Sequence, residues 1–389
     1  MIYFCHGHQA QFLEECMKKT LLVVALAFAG LSFGLAQDFV MGINFDAGGK
    51  FDKSFNQGTW EGFSSAIAAA DADIEILEFE GSPETFAQGL RQMSSEGADL
   101  IVAPGFAQVD IIHDISSEFP DTNYLSIDAW PIDGINPNEL RVGFAEHEGS
   151  YLVGYLAGLM SQTGVVGFVG GMDIPLIHKF NLGYEEGVKA ACDTCTVISN
   201  YVGTTPAAWN DPARGKELAA AQQAQGADII YAAAGSSGLG VVDFVTQTMC
   251  YTSDNLRTTP LSSTVKVLPK SEEYNAKCGA DSQPLFFIGV DSNQNYLGDT
   301  DGRVSTLNHG LTSMLKRVDI AAQNAVNAVV DGSFEGGFKA LGLAEDGVGW
   351  AFDEYNDPLI PNSVVSKMAD IRNKIISGEI TVTNYFDLQ

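Results

Sequence analysis

Apolar residues in this chain follow two alternating rhythms. The runs Phe39-Val-Met-Gly-Ile-Asn44, Leu100-Ile-Val-Ala103, Tyr124-Leu-Ser-Ile-Asp128, Val165-Val-Gly-Phe-Val169 and Phe286-Phe-Ile-Gly-Val290 have the length and composition of buried strands, and Ile74-Glu-Ile-Leu-Glu-Phe79 reads as another strand. Between them lie stretches with apolar residues three and four positions apart. Residues 58–70, with Trp60, Phe63 and Ile67, form the first, and residues 83–97, 109–119 and 311–330 follow. Strand and helix in strict alternation predict a parallel sheet wrapped on both faces.

The pattern then repeats. Phe55-Asn-Gln-Gly-Thr-Trp-Glu-Gly62 is echoed by Phe180-Asn-Leu-Gly-Tyr-Glu-Glu-Gly187, each expected to open a helix, at an offset of 125 residues. Gly97-Ala-Asp-Leu-Ile-Val-Ala-Pro-Gly105 is echoed by Gly226-Ala-Asp-Ile-Ile-Tyr-Ala-Ala-Ala-Gly235 at an offset of 129. Offsets that agree within a short insertion predict two lobes of one α/β architecture, each a doubly wound parallel sheet, joined by a hinge. Residues 37–145 with about 292–330 are assigned to the first lobe, and 146–291 with about 331–389 to the second, with 250–284 as an insertion.

Ligands of open parallel sheets bind at the carboxyl ends of strands. The loop after the first strand, Asp46-Ala-Gly-Gly-Lys-Phe-Asp-Lys-Ser-Phe-Asn56, is the best-equipped candidate. Its glycines let the backbone bend, Asp46, Asp52 and Asn56 supply polar groups, and Phe55 supplies a flat apolar face. That mixture suits a small polar molecule carrying a ring. Other strand ends add Gly105 and Asp128 from the first half, and Gly170, Trp209, Gly235 and Asp291 from the second. Two lobes closing about a hinge would bury a ligand between these groups.

Charge narrows the field. The 389 residues carry 21 Lys and Arg against 49 Asp and Glu, a formal charge of −28, which repels phosphate backbones and excludes nucleic acid as a favoured partner. Met17-Lys-Lys-Thr20, an apolar stretch over 21–33 and Gly34-Leu-Ala36 read as a secretory signal, so the mature chain is expected to begin at Gln37. Residues 1–16, with Cys5, His6, His8 and Cys16, read as an over-extended start rather than a metal site. No Cys stands at the cleavage point, so no lipid anchor is expected. Export places the remaining cysteines in an oxidising compartment. Cys250 and Cys278 bracket a polar segment and are expected to form a staple, and Cys192-Asp-Thr-Cys195 a short disulfide at a helix end rather than a metal or redox centre. His178 and His309 are read as structural.

Five collinear segments resemble a known family. Asp46-x-Gly-Gly-x-x-Asp-x-Ser-Phe-Asn56, Gly170-Gly-Met-Asp-Ile-Pro175, Trp209-Asn-Asp-Pro212, Ala233-Ala-Gly-Ser-Ser-Gly-Leu-Gly240 and Gly289-Val-Asp-Ser-Asn-Gln294 are together similar to the basic membrane protein family of periplasmic binding proteins, over about residues 38–355. The resemblance implies a type I periplasmic binding fold and delivery of a nucleoside, in its best understood branch a purine nucleoside, to the permease of an ABC importer. That branch consists of lipoproteins, and the missing lipidation Cys, a departure from it, suggests a freely diffusing periplasmic protein; a monomer with no cofactor is expected. Residue by residue, it puts the base between Phe55 and Trp209, base edges at Asp46, Asn56 and Asp128, and ribose hydroxyls at Asp291 and Lys316. Lys316 is read as lying on helix 311–330. Asn293 departs from the pattern, standing where a second acid is expected. A sugar or autoinducer binder, a sensor of the same fold, and a nucleoside hydrolase using the Asp46, Asp52 and Asp128 carboxylates are the competing readings. A calcium loop is disfavoured because residues 46–52 lack its alternating oxygen ligands and distal Glu.

Overall fold

The computed structural model describes residues 39–279 and 281–389. The secretory signal, the cleavage point and the early Cys and His residues lie outside the described residues.

Local sequence explains the strands. Strands β3 (Leu100–Pro104) and β4 (Asn123–Ile127) run nearly without exposed residues because helices cover both faces of their sheet. Strand β2 (Ile74–Glu80) lies at the sheet edge and keeps its glutamates in solvent, which discourages edge pairing. With β1 (Phe39–Phe45), β5 (Glu139–Phe144) and β13 (Gly337–Leu341), these make a wholly parallel six-stranded sheet of order β2-β1-β3-β4-β5-β13.

A second sheet repeats the order with different strands: β7 (Thr196–Gly203), β6 (Val165–Met172), β8 (Ile229–Ala233), β11 (Phe286–Asp291), β12 (Gly310–Lys316) and β14 (Val348–Trp350). Only its last strand is antiparallel. The internal echo in the sequence thus corresponds to two sheets of one topology. A small antiparallel ladder, β9 (Cys250–Tyr251) with β10 (Gln283–Pro284), bounds the expected insertion. Both disulfides are present, Cys192–Cys195 and Cys250–Cys278.

Helices close-pack through glycine. Helix α1 (Phe55–Ala69) lies against α10 (Val318–Val330) at Gly62, where a Cβ would stand 2.0 Å from the Asp319 carbonyl oxygen. Helix α4 (Glu146–Met160) meets α5 (Pro175–Ala191) at Gly187, where a Cβ would stand 2.1 Å from the Tyr151 carbonyl oxygen. The remaining helices of the lobes are α2 (Phe86–Ser95), α3 (Val109–Glu118), α6 (Pro212–Gln223), α7 (Gly238–Thr248) and α11 (Asn362–Ile376), with α8 (Pro260–Val267) and α9 (Glu272–Lys277) in the insertion. Separate apolar cores follow, one around Leu90, Ile101, Ile112 and Tyr124, the other around Val169, Ile230, Val241 and Phe287.

The chain passes between lobes after β5, after β12 and between β13 and β14. This corrects the boundaries read from the sequence. Residues 310–316, assigned to the first lobe, pair in the second sheet, and residues 337–341, assigned to the second, pair in the first. Lys316 accordingly ends strand β12 and is not helical, since the helix begins at Val318. Phe180 does not open its helix, which starts five residues earlier at Pro175. In each case a lobe crossing or a proline at the first helical turn, invisible to apolar spacing, set the boundary.

Candidate functional site

Of the positions singled out from the sequence, Asp46, Asp52, Phe55, Asn56, Asp128, Trp209, Gly235, Asp291 and Lys316 line one cleft between the lobes, whereas the strand-end glycines Gly105 and Gly170 are not among its lining residues. The cleft encloses about 550 Å³ of space between atoms, part of it open to solvent. Its wall is mostly apolar, completed by Phe106, Leu176, Ile177 and Phe180.

The first loop is built around Asp52. Its Oδ1 accepts the backbone N–H groups of Ser54 (2.9 Å) and Gln57 (3.1 Å), and its Oδ2 accepts the backbone N–H of Asn56 (2.9 Å) and the Asn56 side-chain amide (3.0 Å). A carboxylate has about four acceptor sites, so Asp52 is saturated. It caps α1 from upstream, satisfying N–H groups that a helix start leaves free. Asn56 Oδ1 in turn accepts from the Asp46 N–H at 2.9 Å. Asp52 and Asn56 therefore hold the loop in shape. Asp46 keeps one oxygen beyond its 2.8 Å bond from the Ala47 N–H. Gly105, at φ +112°, leaves room for that carboxylate, which a Cβ there would approach to 2.7 Å.

Asp128 follows β4 with φ +68°, and Asp291 ends β11 with φ +63°. These strands occupy the same place in the two sheets, so the repeat reaches down to two aspartates in the left-handed region, which non-glycine residues seldom enter. Both face one ammonium. Lys316 is buried, pairs with Asp128 and lies 3.0 Å from Glu146 Oε1. Burial alone would lower its pKa, but Asp128, Glu146 and Asp291 together hold it above the usual lysine value. The rings of Phe55, Phe144 and Phe180 surround that ammonium at 5.1, 5.3 and 5.5 Å from centroid to Nζ, within cation–π range.

Burial also raises Asp46 and Asp291 to pKa values of about 7, with neighbouring carboxylates adding to the effect; for Asp291 Lys316 acts against it. On the opposite wall the Trp209 indole lies on Gly171, where a Cβ would come within 2.3 Å of the ring, and beside Gly235 at φ +53°. Ser236 Oγ donates to the Gly48 carbonyl across the lobes at 3.0 Å, and Ser54 Oγ donates to Asp291 Oδ2 at 2.7 Å. Among the described residues no cluster of metal-ligating side chains is present, and no helix is long and apolar enough to cross a membrane.

Sequence reading overlooked Phe180, Glu146 and Lys179. The repeat aligned Phe180 with Phe55 and could have found it. Nothing local marks Glu146 or Lys179, whose importance arises from contacts across 30 to 170 residues of chain.

Comparison with known proteins agrees with this architecture. A family described as ABC transporter substrate-binding protein PnrA-like (Bmp) matches residues 39–254. The chain is 31% identical to a CD4+ T-cell-stimulating antigen of Listeria monocytogenes, over 89% of this chain and 88% of that one. It is 28% identical to the ABC transporter nucleoside-binding protein BmpA of Lactococcus lactis, over 91% and 92%, and 30% identical to basic membrane protein D of Borreliella burgdorferi, over 85% and 84%. Among solved structures, an ABC transporter solute-binding protein from Aeropyrum pernix superposes with a TM-score of 0.69 at 25% identity, over 88% of this chain and 92% of that one. The fold is the type I periplasmic binding fold, and the matching family is one of ABC transporter substrate-binding proteins. By sequence and by architecture the chain belongs to the PnrA-like (Bmp) family of ABC transporter substrate-binding proteins.

Proposed function

We propose that the protein captures a purine nucleoside between its lobes outside the cytoplasm and hands it to the permease of an ABC importer, acting as a freely diffusing periplasmic monomer. The observation that carries this reading is the pairing of an aromatic ring from each lobe, Phe55 and Trp209, across a cleft lined by four carboxylates and a single ammonium. A neutral flat base stacks on such rings, each contributing about 1–3 kcal/mol. Hydroxyls and ring N–H groups donate to carboxylates, and a fixed ammonium orients a diol. A phosphate meets the wrong sign of charge. The name of the Lactococcus lactis relative supports the same ligand class.

In this reading the base lies between Phe55 and Trp209, its edges meet Asp46, Asn56 and Asp128, and the ribose meets Asp291 and Lys316. Asp52 acts by shaping the loop, its acceptors being occupied, and Gly235 by taking the left-handed backbone turn, φ +53°, beside the indole. Calorimetric titration with guanosine, inosine, adenosine, ribose and the nucleoside 5′-monophosphates tests it. Purine nucleosides are expected to bind and the 5′-monophosphates to bind poorly. Binding of ribose without nucleosides, or release of free base on incubation with inosine, overturns the reading.

A further inference from the structure

A buried relay of charges runs from Lys316 and Asp128, which line the cleft, back to Glu146 and Lys179, which do not. Glu146 opens α4 immediately after the first lobe crossing, and it is 1% exposed. It is absent from the residues lining the cleft. Its Oε1 lies 3.0 Å from Lys316 Nζ and its Oε2 lies 2.6 Å from Lys179 Nζ. Lys179, on α5, also donates to the Phe144 carbonyl at 2.5 Å, which ties the relay to the end of β5. Asp128 of the first lobe completes it from the other side of Lys316.

An ammonium has three donor hydrogens and no acceptor. Asp128 and Glu146 both stand within ion-pair distance of the Lys316 ammonium, which also lines the cleft and so has room to turn a donor toward a ligand. We propose that Glu146, held by Lys179, is a positioning residue for ligand capture: it clamps the Lys316 ammonium between the lobes so that one N–H is presented to the ligand. This rests on the nucleoside reading above and assigns its geometry to residues outside the site. Without Glu146 the ammonium swings onto Asp128 alone, taking with it both its own donor and an acceptor meant for the ligand. A residue that only stabilised the fold would weaken binding whether or not Lys316 were present.

The test is a double-mutant cycle on the full chain with inosine as the probe, using Glu146→Gln, Lys316→Met and the pair, with Glu146→Asp beside them. Glu146→Gln is expected to weaken inosine binding about tenfold, a coupling of ordinary size for contacting buried charges. Glu146→Asp keeps the charge but withdraws the carboxylate, and is expected to lose affinity similarly. In the Lys316→Met background the Glu146 substitutions are expected to change affinity less than twofold. Unchanged affinity in Glu146→Gln, or a loss that recurs in full without Lys316, overturns the proposal. Should Glu146→Gln fail to fold, Lys179→Met carries the same cycle. A wild-type protein that binds no nucleoside overturns the functional reading itself, whereas normal wild-type binding with an uncoupled cycle overturns this inference alone.

Discussion

At the scale of single residues, the cleft holds carboxylates in two different conditions. Asp52 is satisfied by four hydrogen bonds, while Asp46 and Asp291 face the cleft with pKa values raised to about 7 by burial. A raised carboxylate pKa means that the folded state binds the proton more tightly than the unfolded one. Its contribution to stability is present below about pH 4 and is lost as the pH rises through 7. Glu146, held below the usual carboxylate range by Lys179 and Lys316 against the opposing cost of burial, works in the other direction, its contribution being lost on acidification. The empty protein is therefore expected to melt at a higher temperature at pH 5 than at pH 8. Asp46→Asn should remove the share of that difference that Asp46 contributes, leaving the share of Asp291, and stabilise the empty protein at pH 8 while weakening nucleoside binding. Because ligand N–H and O–H groups favour the ionised acids, affinity should rise from pH 6 to 8 with release of protons, measurable by calorimetry in buffers of different ionisation heat. Phe55→Ala and Trp209→Ala should each cost about 1–3 kcal/mol of binding. Unchanged affinity in both would refute stacking.

At the scale of elements, helix contacts depend on missing side chains. Gly187 places α5 directly on the backbone of α4, so Gly187→Ala forces the helices apart and should destabilise the protein by about 1–3 kcal/mol in thermal or denaturant unfolding. Gly171 has a different role, for it supports the Trp209 indole. Cys250–Cys278 closes a separation of 28 residues around the insertion. Its reduction should cost about 3–4 kcal/mol in the chain-entropy model, leaving ligand affinity unchanged because the insertion contributes no residue to the cleft lining. Element types were legible from spacing alone, since β3 is apolar throughout and α1 carries Trp60, Phe63 and Ile67 at helical intervals. Element ends were less so. Lys316 continues the pattern of the helix that follows it, yet it belongs to β12, because pairing with β11 and β14 outweighs helical periodicity.

At the scale of the whole molecule, two sister lobes contribute to a single site, and their loops are already bonded to one another. The Ser236–Gly48 hydrogen bond spans the lobes and involves no residue of the charge relay around Lys316. Ser236→Ala is expected to speed nucleoside release two- to tenfold, the range set by one hydrogen bond of about 0.5–1.5 kcal/mol, with little change in the association rate, as stopped-flow fluorescence would report. A ligand that binds only the folded protein also stabilises it. Inosine at about 100 times its dissociation constant should add ~2.7 kcal/mol, and nucleoside 5′-monophosphates at the same concentration should add far less.

The sequence by itself determined the alternation of strand and helix, the doubling of the architecture and the strand ends that carry Asp46, Asp128, Gly235 and Asp291. Each of these is written in local periodicity or in the comparison of one half with the other. Only the tertiary structure decided that Asp52 is spent on capping, that strands 310–316 and 337–341 exchange lobes, and that Phe180, Glu146 and Lys179 converge on Lys316. The physical reason is that a buried charge finds its partners through space. Glu146 and Lys316 stand far apart along the chain, and no pattern of neighbours could show that the two form an ion pair where the lobes meet.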